Sequence, residues 1–572
     1  MKVKKLILKY YKKEKKLLVI FIIFNLLVTF LDLTAPLVVK KIIDTAIPNK
    51  NLNMISYLSL MVLAMYGIRT AFAIVSFSRG QLMGNRIKFH MRNDLFSHML
   101  KQSTEFFNKK EKGELIARIT SDLENSSSLL YRGLQDSISA GGSLIGSFFL
   151  MLFFSPILTL IIFAPFPFGF LFVYSKNRKL KSGYREIRKN NSNFTSTTYE
   201  LLRVIFFLKD NVLENYAENK FRESNNNLLM AEKRNYLNVG IFMSGVTFYV
   251  HLTQIILIGF GGYLYTQNKI TIGIIISFLL LVDRFKISLI KLAGLTDNYQ
   301  KGMSGINRLN SMLDTDYTIL NGTKKITSPF KVLTFKNVSF SYGNENILNN
   351  LSFSIRAKEK IAIVGKSGIG KSTILNLIKK NYLPDSGDIF INNINYKDMS
   401  KKNLLNIMGI LNNSENILYE TVEKNISIVK NKSTYENIVE ACKQAYIDET
   451  IEKLPKKYKS IMGNKGTILS TGQNQRISFA RLFLKKPEII LLDEATSGLD
   501  RISEKIIINN ILNFLKEKTV IFVTHRLDII KNFDRILVFN ENGIVEDDNF
   551  EKLIEKRGEF YTLYKKNNIK EN

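Results

Sequence analysis

The run Gly365-Lys366-Ser367-Gly368-Ile369-Gly370-Lys371-Ser372 follows an apolar stretch, Ile361 to Val364, and precedes a helical pattern that begins near Thr373. Its glycines let the backbone turn tightly, so successive N–H groups can point inward at phosphate oxygens. Lys371 has the reach to meet β- and γ-phosphates, and the Ser372 hydroxyl suits Mg²⁺. The helix that follows adds its positive N-terminal end. A strand, a glycine loop and a helix in that order predict a nucleoside triphosphate site.

A second signature is Ile489-Ile490-Leu491-Leu492-Asp493-Glu494. A buried strand here delivers Asp493 to its end, where the carboxylate can hold the Mg²⁺ water shell. Glu494 is then placed to orient or deprotonate an attacking water. Between the two signatures lies Leu469-Ser470-Thr471-Gly472-Gln473, followed by Gln475-Arg476-Ile477. Downstream come Ser497-Gly498-Leu499-Asp500 and, after the apolar strand Val520–Val523, Thr524-His525-Arg526.

These residues need a scaffold, and 572 residues are too many for one core. Eight lysines in Met1–Lys16 precede an apolar stretch from Leu17 to Val39. That stretch lacks a small-residue cleavage site and is long enough to cross a bilayer, so it reads as a membrane span. Further spans are expected at Ile55–Phe77, Ile138–Phe154, Ile157–Tyr174, Phe242–Tyr265 and Ile272–Leu295. Little more than Ser155-Pro156 separates the third and fourth, which predicts a tight hairpin. The N-terminus and the segments Arg79–Arg132 and Lys176–Arg234 are rich in Lys and Arg, whereas the intervening loops carry few cations. The positive-inside rule makes both termini and the two long loops cytoplasmic. Apolar residues such as Leu95, Met99, Phe106 and Phe107 imply that the membrane helices continue into the cytoplasm and turn back at short docking segments.

The first domain is therefore expected over 1–313, all-α with six spans, and a linker over 314–331. From 332 to 572 short β-rich runs alternate with helical patterns, which predicts an α/β P-loop ATPase domain with a mixed sheet and a helical subdomain. The net charge of +31 would suit a nucleic-acid binder, but the cations follow membrane topology and no aromatic-studded basic patch accompanies them. No nucleic-acid partner is expected. The single cysteine, Cys442, excludes an internal disulfide and a Cys-rich metal site.

Taken in order, the phosphate loop, the Ser470 to Gln473 segment, Asp493-Glu494, Asp500 and His525 resemble the ABC transporter family. The likeness is to exporter-type half-transporters, as in bacterial multidrug, lipid and peptide exporters. It implies ATP and Mg²⁺ as ligands, with Tyr342 stacked on the adenine and Gly365 to Thr373 around the phosphates. It further implies Ser372, Asp493 and Asn413 near the metal, Glu494 as catalytic carboxylate and His525 at the γ-phosphate. Ser470, Thr471, Gly472 and Gln473 would cap the nucleotide held by the opposite subunit. Asn413, Asp500, Phe106 and Phe107 would couple the domains. In the first half, Gly113-Glu114-Leu115, Arg118 with Asp122, and Gly261-Gly262 before Thr271-Ile272-Gly273 extend the resemblance.

Three positions depart from the family pattern. Asn413 stands where a glutamine is usual and is one methylene shorter. Thr471 replaces a glycine, and its Cβ restricts the backbone. Asn464 stands where exporters commonly carry a glutamate. Base and phosphate loop remain, so an active ATPase with slow or altered coupling is expected.

Charges inside spans are functional candidates. Asp32 and Arg69 lie near mid-depth with opposite sign and are expected to pair, with cargo contact as the other reading. Asp283, Arg284 and Lys286 form a cluster that could line a cavity; Asp283 and Lys286 are three apart, on one helical face. His251 reads as a helix-packing residue. One chain holds one phosphate loop and one signature segment, so a dimer is expected: a homodimer, or a heterodimer with a second half-transporter. The expected function is ATP-driven export of an amphipathic or hydrophobic peptide, drug or lipid across the cell membrane. A non-transporting regulatory module and an importer with the exporter fold are the alternatives.

Overall fold

Long apolar stretches flanked by lysines satisfy their backbone groups internally, and the first half of the chain is accordingly helical. A computed structural model describes residues 3–315, 322–326, 328–343, 345–366, 368–412, 417–430, 432–463, 466–467, 469–496, 500–514, 516–541 and 543–569. The chain divides into two units, residues 1–100 with 112–316, and residues 101–111 with 317–572.

The main helices of the first unit are α1 (Val3–Lys13), α2 (Lys15–Lys41), α3 (Leu52–Met99), α4 (Leu134–Phe154), α5 (Pro156–Phe163), α6 (Phe166–Arg203), α7 (Glu214–Thr266) and α8 (Ile272–Leu313). With 48 residues in α3 and 53 in α7, at about 1.5 Å per residue these helices far exceed the ~30 Å of hydrocarbon. Among the described residues, five stretches are long and apolar enough to cross a membrane: Lys15–Ala46, Leu52–Met99, Lys112–Phe154, Pro156–Arg203 and Glu214–Thr266. The sixth expected span lies in α8, whose apolar half also carries Asp283, Arg284 and Lys286.

Ser155 makes the expected hairpin. Its Oγ accepts from the Leu158 N–H at 3.4 Å, and Pro156 opens α5. Met151, Leu158, Leu257, Phe278 and Leu281 pack inside the unit, while Phe30, Phe153, Phe168 and Phe248 are more than 60% exposed, as a lipid-facing surface requires. Asp44 closes the start of α8. One oxygen accepts from Thr271 Oγ1 at 2.5 Å and the other from the Gly273 N–H at 2.8 Å. A Cβ at Gly273 would stand 2.5 Å from Asp44 Oδ1, which explains the glycine in Thr271-Ile272-Gly273.

The second unit contains β1 (Val332–Tyr342), β2 (Glu345–Arg356), β3 (Lys360–Gly365), β4 (Ser386–Ile391), β5 (Ile394–Asn395), β6 (Met408–Asn412), β7 (Ile489–Asp493), β8 (Thr519–Val523), β9 (Arg535–Asn540) and β10 (Gly543–Asp548). An antiparallel sheet runs β2-β1-β4-β5, and a larger sheet runs β10-β9-β3-β8-β7-β6. In the larger sheet β6, β7, β8, β3 and β9 are parallel, with β10 antiparallel at the edge. The runs Ile361–Val364, Ile489–Leu492 and Thr519–Val523 are buried throughout, as strands covered on both faces must be. The helices α9 (Lys371–Ile378), α10 (Thr471–Lys485) and α11 (Arg501–Phe514) follow the sequence motifs. The short helix Thr104–Asn108 belongs to this unit, capped by Ser103 Oγ accepting from the Phe106 N–H at 3.2 Å.

Candidate functional site

Parallel β3 and β7, with β8 between them, carry the chemistry-bearing residues to one end of the larger sheet. β3 ends at Gly365, and the loop to α9 turns through Gly368 at φ +82° and Gly370 at φ +97°, values that favour glycine. Ile369 packs against the apolar core beneath. Lys371 opens α9 and is buried, with Nζ donating to the carbonyls of Gly365 at 2.8 Å and Lys366 at 2.6 Å. Burial lowers its pKa, and the negative charges of Glu494 and Asp493 work against that shift. Thr373 is buried in the first turn of α9. Ser367 lies outside the described residues, as do Asn413, Asn464 and 497–499.

Ser372 Oγ donates to Asp493 Oδ1 at 3.2 Å, across 121 residues of sequence. Burial raises the Asp493 pKa, opposed by the nearby Lys379 ammonium and by the Ser372 hydrogen bond. A hydroxyl and a carboxylate converging beside a phosphate loop form an oxygen-donor pair that fits Mg²⁺. Among the described residues, no cluster of three or more His, Cys, Asp or Glu could hold a metal by itself.

Glu494 leaves the end of β7 at φ +48°, a left-handed conformation rare for a residue with a side chain. Its N–H donates to the Val523 carbonyl at 3.0 Å, which ties the bend to β8. His525, just beyond β8, places Nε2 3.0 Å from Glu494 Oε1. The strained bend and the ring together aim the carboxylate.

Ser470 caps α10, its Oγ accepting from the Gln473 N–H at 3.2 Å while Gln473 Oε1 accepts from the Ser470 N–H at 2.9 Å. Thr471 and Gly472 form the first helical turn. The backbone restriction expected of Thr471 is absent, because the residue occupies an ordinary right-handed helical position. Asp500 Oδ1 caps α11 by accepting from the Ser503 N–H at 2.9 Å, and Arg476 Nη2 stands 3.7 Å from Asp500 Oδ2.

Tyr342 ends β1 with its ring partly exposed, 4.9 Å from Phe340 and 5.2 Å from Tyr382. Sequence reasoning missed Tyr382, whose hydroxyl accepts from Asn108 Nδ2 at 3.1 Å. Nothing in its sequence surroundings marks it, since the partner is 274 positions away. Phe106 and Phe107 lie on the same short helix, Thr104–Asn108, ring centroids 5.4 Å apart.

In the first unit Arg69 pairs with Asp32 as expected, through Nε at 3.2 Å and Nη2 at 3.3 Å. Arg284 adds a third contact, Nη2 to Asp32 Oδ1 at 2.9 Å. Asp283 points elsewhere: it accepts from Gln254 Nε2 of α7 at 3.2 Å, and Gln254 Oε1 is 3.2 Å from His251 Nδ1. Lys286 lines a small apolar cavity with Phe163, Phe166 and Phe285. The helical-face argument for Asp283 with Lys286 therefore gives way to Asp283 with α7 and Arg284 with Asp32.

The ABC transporter transmembrane region, as a family model, matches residues 18–285, and the ABC transporter model matches residues 348–497. A putative multidrug export ATP-binding/permease protein of Staphylococcus aureus is 31% identical over 576 residues, covering 98% of this chain and 99% of that protein. An ATP-dependent lipid A-core flippase of Haemophilus influenzae is 30% identical over 538 residues, covering 92% and 90%. In fold, the chain is similar to a bacterial Atm1-family ABC exporter solved with ATP bound, with a TM-score of 0.83, 22% identity, and 97% and 98% of the two chains covered. The chain belongs to the ABC transporter family. It is a membrane protein in which a C-terminal ATPase drives transport through an N-terminal helical domain.

Proposed function

We propose that two copies of the chain form the working unit and export a hydrophobic or amphipathic molecule across the cell membrane. The loop Gly365 to Thr373 of one copy and Ser470 to Gln473 of the other clamp ATP between them, with Tyr342 against the adenine. Each chain supplies both halves of that clamp, and Glu494 is present, so a homodimer is self-sufficient. The apolar stretches support six spans, with α8 as the last, and loop charge supports cytoplasmic termini.

Lys371 holds the phosphates, and the Glu494 carboxylate accepts a proton from the attacking water. The His525 ring fixes Glu494 and faces the γ-phosphate. Ser372 and Asp493 would hold Mg²⁺, which would supply charge neutralisation at the phosphate oxygens. Closure of the ATPase domains is passed to the spans by the docking segments near Phe106–Arg118 and Tyr199–Lys209. The relatives named for lipid and multidrug export support an amphipathic cargo.

The observation that carries this reading is the 3.0 Å pairing of His525 with a Glu494 held by a strained bend. The test uses purified protein in phosphatidylcholine vesicles. ATP-dependent accumulation of a fluorescent amphiphile is expected with native protein and lost in Glu494→Gln, which retains ATP. Full hydrolysis by a protein that stays monomeric with ATP and magnesium rejects the proposal.

A further inference from the structure

A polar cavity of about 170 Å³ lies inside the membrane domain. Asn25, Thr29 and Asp32 of α2, Arg69 and Ser76 of α3, Ser139 of α4 and Arg284 and Lys291 of α8 are among its lining. Such a chamber is unusual among apolar helices, because polar groups there need partners or a ligand.

Charge in the chamber does not balance. The lining holds three cations, Arg69, Arg284 and Lys291, and one carboxylate, Asp32. Asp32 already accepts two contacts from Arg69 and one from Arg284. Each guanidinium carries five N–H donors, so one carboxylate cannot satisfy both. Among the described residues, Lys291 Nζ donates a hydrogen bond to a hydroxyl, Ser139 Oγ, at 3.4 Å. Asp136, outside the lining, acts on Lys291 but also on Arg132. With that pair included, four cations still face two carboxylates.

A second observation is independent of charge. Asn25 and Ser76 are 4% and 3% exposed, and among the described residues Asn25 Nδ2 and Ser76 Oγ have no hydrogen-bond partner. Both residues line this cavity. Buried donors without partners are costly, and a ligand oxygen would satisfy them.

We propose that this chamber binds the anionic head group, phosphate or carboxylate, of the transported amphiphile. This rests on the transport reading and narrows it: Arg284 and Lys291 engage the anion, Asn25 and Ser76 donate to it, and Asp32 holds the two guanidiniums in place. Planar guanidinium forks match phosphate and carboxylate oxygens in pairs. Asp32 also repels the anion, so it sets how tightly the head group is held.

The experiment measures binding of dodecyl phosphate and dodecyltrimethylammonium to the full-length protein in phosphatidylcholine nanodiscs without nucleotide. A failed export assay would leave this result intact. Dodecyl phosphate is expected to bind more tightly than its cationic counterpart. Affinity for dodecyl phosphate should fall roughly tenfold in Arg284→Gln, the loss of one charged hydrogen bond, and rise in Asp32→Asn. Lys286→Gln, a cation of the same helix outside the chamber, should leave it unchanged. Competition by phosphatidylglycerol doped into the nanodisc assigns the head group to a membrane lipid; its absence assigns it to an amphiphile from water. Equal affinity for the two detergents overturns the proposal. So does a shift in the same direction for Arg284→Gln and Asp32→Asn, the signature of structural damage alone.

Discussion

His525 Nε2 stands 3.0 Å from Glu494 Oε1, and the two residues reach that distance from the ends of neighbouring parallel strands. Glu494 is further fixed by its bond to the Val523 carbonyl. The carboxylate therefore has its direction set before any water arrives. His525→Ala should lower kcat by about a hundredfold or more, with a much smaller change in KM for ATP. In a double-mutant cycle with Glu494→Gln the two losses should be far from additive. Additive losses measured by steady-state hydrolysis would show that the residues act independently.

Gly370 offers a test of the phosphate loop. It sits at φ +97°, and a Cβ would lie 2.8 Å from Ile347 Cγ2. Gly370→Ala should cost about 1–2 kcal/mol from the backbone conformation alone, plus a shift of the loop. The expected outcome is a lower thermal midpoint together with weaker binding of a fluorescent ATP analogue. Native affinity in this variant would mean the loop tolerates a right-handed turn.

The signature segment separates capping from backbone freedom. Ser470 and Gln473 satisfy each other's N–H groups at the start of α10. Ser470→Ala should destabilise the nucleotide-free protein by about 1 kcal/mol. Thr471→Gly should also destabilise, by somewhat less than about 1 kcal/mol, because glycine is a poor helix former. A stabilised Thr471→Gly protein, seen as a raised thermal midpoint, contradicts this account of the threonine.

Phosphate loop, acidic strand end and the long apolar stretches were legible because each is local. Glycine spacing, an apolar run ending in Asp493-Glu494, and hydropathy all lie within a few residues of one another. What the sequence hid was long-range pairing. Arg284 and Asp32 meet across 252 positions (284 less 32), and only the packed helices turn Arg284 toward Asp32 and Asp283 toward Gln254 of α7. The Tyr382 contact with Asn108 is similarly non-local. The concern over Thr471 came from residue type alone; the helix start it occupies removed that concern.

Cys442 is fully buried, and desolvation pushes its thiol up to about 12. A raised pKa means less thiolate at a given pH, and thiolate is the reactive form. At pH 8 only about one thiol in 10⁴ would be ionised. The native protein should thus resist Ellman's reagent for hours and react at once in denaturant. Prompt stoichiometric labelling of folded protein would place Cys442 at a surface.

Tyr382 joins two parts of the second unit: its ring stands 5.2 Å from Tyr342 and its hydroxyl accepts from Asn108 of the short helix Thr104–Asn108. Tyr382→Phe removes the hydroxyl and keeps the ring, so nucleotide affinity should stay within about twofold. The lost hydrogen bond contributes about 1 kcal/mol, enough to loosen the helix Thr104–Asn108, proposed to couple the domains, several-fold. Transport per ATP hydrolysed, measured in vesicles, should fall while hydrolysis continues. An equal loss of hydrolysis and transport would place Tyr382 in nucleotide binding, and an unchanged ratio would show that Asn108 transmits nothing through it.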